Sequence, residues 1–234
     1  MHRFYVPSEQ ISNGTATIAG SDVNHIKNVL RMKAQDKIEI FDGRGNSYIA
    51  ALKPSLLEAK IVSKLTNDSE LKVNITLAQC LPKAKKMDFI VQKAVELGVN
   101  SIIPVISERS VPKIEDKADK KISHWQKIAK EAAEQSGRLK VPEIMPLLSF
   151  GDLLKQEYEL KLMPWEGEKE TTLKGIVCPT GILVLIGPEG GFSVNEVNNA
   201  VKNGFRTISL GKRILRTETA GIVILSQLLY ELDS

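Results

Sequence analysis

Two stretches near the C-terminus carry residue types that could do chemistry. In "ILVLIGPEGGFSVNEV", residues 182–197, five apolar residues run into Gly187-Pro188-Glu189-Gly190-Gly191, and a helix start follows. A strand, a glycine-rich loop and a helix commonly let backbone N–H groups cradle a phosphate. Here a glutamate sits mid-loop, and its carboxylate repels a phosphate at short range. The pattern matches neither GxGxxG nor GxxxxGK[ST]. Pro188 pre-sets one φ angle, the glycines allow close backbone approach, and Glu189 supplies negative charge. Such a loop suits a flat heterocycle bearing a cationic group. S-adenosylmethionine, with its adenine, sulfonium and ammonium, meets those demands better than ATP or NAD.

The second stretch, "LGKRILRTETA" from Leu210 to Ala220, interleaves Ile214 and Leu215 with Arg213, Arg216, Glu218 and two threonines, Thr217 and Thr219. The apolar pair suits a pocket wall, and the charged groups suit contacts converging on something polar. The same residues also read as a plain helix N-terminus, with Thr217 as cap and Arg216–Glu218 as an exposed pair of little energetic weight.

Both loops follow a strand and precede a helix, which in a parallel sheet puts them on one rim. The surrounding pattern supplies such a sheet. "KKMDFIVQKAVELG" places Met87, Ile90, Val91, Ala94 and Val95 on one helical face, with Gly98 to close it. "NSIIPVIS" reads as a buried strand and "DKKISHWQKIAKEAAEQSG" as a helix ended by Gly137. Further strands are expected at 140–145, 158–163, 182–187 and 205–210. Ser193 and Glu196 have capping-box spacing. "AGIVILSQLLYEL" is an apolar final helix, buried on most sides, whether as core or as a dimer surface.

The opening segment reads mostly as strands. "DKIEIFDGRGNSYIAALK" alternates, turns through Asp42-Gly43 and Gly45, and resumes. Before it, "SDVNHIKNVLRM" has Val23, Ile26 and Leu30 near helical spacing behind Ser21 as N-cap. "KLTNDSELK" is a linker or a last hairpin. A small β-barrel ahead of a mainly parallel α/β domain is the expected assembly.

Composition bounds the function. The 234 residues are 42% hydrophobic and 26% charged, the values of an ordinary soluble protein. Aromatics at 5% disfavour a base-stacking platform. No signal peptide and no membrane-spanning run is visible, and Cys80 and Cys178 have no partner motif, which fits a reducing cytoplasm. His2, His25 and His124 lack ligand spacing, so no metal is expected. The net charge of +4 is uneven: residues 80–140 hold thirteen Lys/Arg against eight Asp/Glu. That excess reads either as a polyanion-binding surface or as solvated helix faces.

The two loops together resemble the SPOUT (trefoil-knotted) RNA methyltransferases. The particular match is the family that methylates N3 of a uridine in 16S ribosomal RNA, at uridine 1498. "RFYV", "HIKNVLRMKAQD", "KMDFIVQKAVELGV" and "EAAEQSGR" extend the resemblance over nearly the whole chain. It implies a PUA-like RNA-binding barrel over 1–71 and a knotted parallel-sheet α/β methyltransferase domain over 72–234. It also implies S-adenosyl-L-methionine as cofactor, small-subunit RNA as substrate and a homodimer. By motif match, the cofactor contacts are Gly187, Pro188, Glu189, Gly190, Gly191, Leu210, Gly211, Ile214, Leu215, Arg216, Thr217, Thr219 and Ala220. "LMPWEG" adds Leu162 and Pro164 as a third wall, unless Trp165 makes this segment core. Arg3, Arg31, Lys83, Lys85 and Lys86 are the expected RNA-backbone contacts.

The implied chemistry needs alignment more than covalent help, because a sulfonium methyl is already activated. Uracil N3 must lose its proton. Arg216 and Arg138 are candidates to hold phosphate or the developing uracil anion, with a helix-end salt bridge the alternative for Arg138. Glu189 or Glu218 is the candidate proton acceptor. A related enzyme acting on another RNA, or a non-catalytic RNA-binding relative, are the rival readings.

Overall fold

A computed structural model describes residues 1–18, 20–66, 69–83, 86–110, 117–175 and 179–232. The chain divides into two compact units, one of residues 1–70 with 133–141 and one of residues 71–132 with 142–234.

The first unit is a six-stranded sheet: β1 (Arg3–Tyr5), β2 (Ile11–Ser12), β3 (Thr15–Thr17), β4 (Lys37–Phe41), β5 (Ser47–Leu52) and β6 (Glu58–Leu65). The order is β1-β4-β5-β6-β3-β2, parallel between β1 and β4 and antiparallel elsewhere. The period-two pattern sends Ile38, Ile40, Ala50, Leu52 and Ala59 into one core with Phe4, Val6 and Ile26. Asp42 organises the β4–β5 turn, its carboxylate accepting from the backbone N–H groups of Arg44 (2.8 Å) and Asn46 (3.0 Å). The short helix α1 (Ser21–Asn24) continues into a π-helical turn, His25–Val29, that buries Ile26. Ser21 is not its cap: Gly20, at φ 64, takes the capping position, and Ser21 is already helical. Residues 67 and 68 of the expected linker lie outside the described residues.

The second unit is built on seven parallel strands: β7 (Asn74–Cys80), β8 (Ser101–Ile106), β9 (Glu143–Ile144), β10 (Leu148–Ser149), β11 (Leu160–Pro164), β12 (Gly181–Ile186) and β13 (Phe205–Ile208). Their order is β10-β8-β7-β12-β11-β13, with β9 also on β8. Helices α2 (Lys86–Glu96), α3 (Ala118–Ser136, whose last residues group with the first unit), α4 (Phe150–Leu154), α5 (Val194–Lys202) and α6 (Thr217–Leu232) complete the alternation. Central strands buried on both faces explain the near-continuous apolar run of β12 and the burial of β7 from Ile75 to Cys80, polar Thr76 and Gln79 included. The helical face predicted for α2 is the buried one, residue for residue. The capping box of α5 is formed, Ser193 and Glu196 each bonding the other's backbone N–H. The strand expected at 140–145 shrinks to Glu143–Ile144. Helix α6 buries one face only, through Gly221, Ile224, Leu225 and Leu228, and Tyr230 is 75% exposed.

Candidate functional site

The carboxyl ends of the adjacent strands β12, β11 and β13 open onto three loops: 187–193, 165–171 and 209–216. Together with the start of α6 and Lys86 they enclose a cavity of about 420 Å3. That volume suits a nucleoside-sized ligand.

Each loop is held by named bonds. Gly191 adopts φ +65, which favours glycine, and its N–H closes a turn onto the Pro188 carbonyl at 3.0 Å. A Cβ on Gly187 would stand 3.0 Å from the Phe192 ring, a tight contact that favours glycine there. Thr217 Oγ1 donates to the Gly187 carbonyl (2.6 Å) and accepts from Gln79 Nε2 (3.0 Å). This chain joins the end of β7, the glycine loop and the start of α6. Arg109 Nη1 donates to the Gly190 carbonyl at 2.8 Å, and Ser193 Oγ donates to Glu108 at 2.6 Å. The third loop hangs on Glu168. Its carboxylate accepts from the N–H groups of Lys169, Glu170 and Thr171 and from Thr207 Oγ1. Those bonds, foremost the Glu170 N–H, hold its pKa down at about 2.

The cavity carries an internal ion cluster. The Lys86 ammonium lies 3.0 Å from the Glu189 carboxylate and 3.2 Å from that of Glu218. The Lys83 N–H adds bonds of 3.1 and 3.2 Å to the two oxygens of Glu189. Partial burial pushes the Glu189 carboxyl upward, but backbone N–H groups and the Lys86 ammonium outweigh it and hold the group below the usual range.

The two loops singled out in the sequence do meet. Pro164, Gly187, Pro188, Glu189, Gly191, Leu210, Gly211, Ile214, Leu215, Arg216, Thr217 and Ala220 all line the cavity. Leu162, Gly190 and Thr219 do not. Leu162 is fully buried within β11, Gly190 backs onto Arg109, and Thr219 lies on α6. Further corrections concern the charged residues. Arg138 is 4% exposed, its guanidinium bonded to Glu70 at 2.7 and 3.1 Å, and it lines no part of the cavity. Arg3 is likewise structural: it pairs with Glu39 at 2.8 Å, stacks 4.3 Å over Phe41 and bonds the Ala133 carbonyl. Lys86, expected on RNA, turns inward to the two carboxylates. Glu189 and Glu218 both contact it, and backbone N–H groups with the Lys86 ammonium make Glu189 a poor proton acceptor. Arg31 and Lys83 are exposed, and Lys85 lies outside the described residues.

Sequence reasoning missed Glu168, Lys169, Phe192, Ser209, Lys212 and Lys86 as lining residues. Phe192 and Ser209 adjoin the two motifs and could have been added from strand ends alone. Glu168 and Lys86 depend on which strands and helices are neighbours.

Residues 69–229 match the model of an RNA methyltransferase domain, and residues 18–62 match an RNA methyltransferase PUA domain. Ribosomal RNA small subunit methyltransferase E of Bacillus subtilis is 35% identical, over all of this chain and 98% of its own. The chain belongs to the ribosomal RNA small subunit methyltransferase E family. A member from Mesomycoplasma hyopneumoniae is 36% identical over 97% of this chain and 98% of its own. The crystal structure of the family's Neisseria gonorrhoeae enzyme, bound to S-adenosyl methionine, has a TM-score of 0.91 at 37% identity, covering 99% of this chain and 98% of that one. A Legionella pneumophila protein with bound SAM has a TM-score of 0.90 at 33% identity, covering 98% and 97%. The fold class expected from the sequence, a SPOUT α/β domain behind a PUA-like one, is borne out.

Proposed function

We propose that this protein transfers the methyl group of S-adenosylmethionine to N3 of a uridine in 16S ribosomal RNA, the family site being uridine 1498, as a cytoplasmic homodimer. The observation that carries this reading is the convergence of the glycine loop and the Leu210–Arg216 loop on one cavity, with apolar walls and acidic charge from Glu189. The Glu189 carboxylate in the glycine loop fits a neutral base attached to a cationic group and disfavours a phosphate against that loop. The loop backbones hold the adenosine, and Leu210, Leu215 and Pro164 exclude water from it.

The uracil N3 lies on the base-pairing edge, so the target uridine must be unpaired or flipped out. Arg216 stands exposed on the cavity wall, and among the described residues its side chain has no partner. It takes the developing uracil anion at O2 or O4 and lowers the cost of removing the N3 proton. With Glu189 and Glu218 both committed to Lys86, the proton leaves to water. Arg31 and Lys83 hold RNA phosphates.

Small subunits lacking the modification, incubated with the purified protein and labelled cofactor, are expected to gain a methyl group at N3 of that uridine. Label found only on other RNA overturns the substrate. Absence of calorimetric binding to S-adenosylmethionine overturns methyl transfer itself.

A further inference from the structure

Lys86 opens α2 and is that helix's contribution to the cavity wall. Its ammonium bridges two carboxylates from different elements, Glu189 of the glycine loop and Glu218 of α6. Two carboxylates and one ammonium leave a single negative charge in this cluster, on a cavity wall that also carries Glu166, Glu168, Lys169, Lys212, Arg213 and Arg216. The carboxylates of Glu189 first, then Glu218, hold Lys86 above its ordinary pKa, so the cation persists.

We propose that Lys86 is a specificity-determining residue that trims the acidic charge of the Glu189–Glu218 pair, so that the site grips the methyl donor yet lets the spent cofactor go. This rests on the methyl-transfer reading above. In the transfer, the sulfur–methyl bond breaks and leaves its electron pair on sulfur. The N3 electron pair forms the new carbon–nitrogen bond, and the N3 proton passes to water. The cofactor thereby loses one unit of positive charge at sulfur, while its adenosine, ammonium and carboxylate are unchanged. Donor and product differ, to this site, by that charge and a methyl group. Two uncompensated carboxylates would bind the donor in excess, and a fully neutralised pair would barely distinguish the two ligands.

Calorimetry on the full-length protein, with S-adenosylmethionine and with S-adenosylhomocysteine, reads the product-to-donor ratio of dissociation constants. Lys86→Met is expected to raise that ratio on the order of fivefold, the effect of one uncompensated charge several ångströms away in a half-exposed site. Glu218→Gln is expected to lower it by a similar factor, and Lys86→Arg to leave it near the wild-type value. Should Lys86→Met fail to fold, Glu218→Gln still carries the test, because it shifts the charge in the opposite sense. Unchanged ratios in the folded variants, with both ligands bound, would reduce Lys86 to a structural tie and leave the methyl-transfer reading intact. Failure of the wild-type protein to bind either ligand overturns both.

Discussion

Arg216 and Arg138 are the same residue type with opposite tasks. The first is exposed at the cavity wall; the second is closed off by Glu70, whose carboxylate also takes the N–H groups of Leu139 and Lys140. Burial pushes the Glu70 carboxyl upward, but Arg138 and those N–H groups hold it below the usual range. Replacing Arg216 with alanine is therefore expected to slow single-turnover methyl transfer about 100-fold while leaving the cofactor dissociation constant within about twofold. Arg138→Ala should instead lower stability. Arg3 and Arg31 divide in the same way. Arg3→Ala, which breaks a mostly buried pair with Glu39, is expected to cost about 2 kcal/mol in urea unfolding. Arg31→Ala should leave stability alone and reduce the salt slope of RNA binding by about 1. Equal slopes for wild type and Arg31→Ala would remove Arg31 from the interface.

At the scale of elements, the cavity depends on three loops being fixed before any ligand arrives. The glycine loop and the Leu210–Arg216 loop are tied through Thr217, and the 165–171 loop through Glu168. The Glu168 carboxyl drops from 4.5 to about 2 on folding. A depressed carboxyl stabilises the fold fully above its unfolded value, and the contribution fades as pH falls from there through the folded value. Acid unfolding followed by circular dichroism should show wild type more stable than Glu168→Gln at neutral pH. The difference should shrink below about pH 4.5 and vanish near pH 2. A constant difference across that window would mean the carboxylate is not what holds the loop. The two C-terminal loops were legible in the sequence because strand, glycines and helix start are local signals. The third was half legible: "LMPWEG" marks a strand end, but the role of Glu168 follows from β11 lying beside β13.

For the whole molecule, α6 leaves Val223 and Tyr230, seven residues apart, on the side away from its buried face. An apolar helix with one face open suits a second copy of the chain. The protein is expected to sediment as a dimer, and Val223→Glu to weaken self-association by about tenfold or more. A monomeric wild type at micromolar concentration would remove the dimer from the proposal. Periodicity and punctuation alone determined the α/β alternation, the buried face of α2, the capping box of α5 and the two C-terminal loops, since each is written within a few consecutive residues. Only the tertiary structure decided that Lys86 faces Glu189 and Glu218, that Arg138 and Arg3 are spent on Glu70 and Glu39, and that 133–141 groups with the N-terminal unit. Those pairings join residues distant in the chain, and a charge carries no local sign of which opposite charge the fold will bring to it.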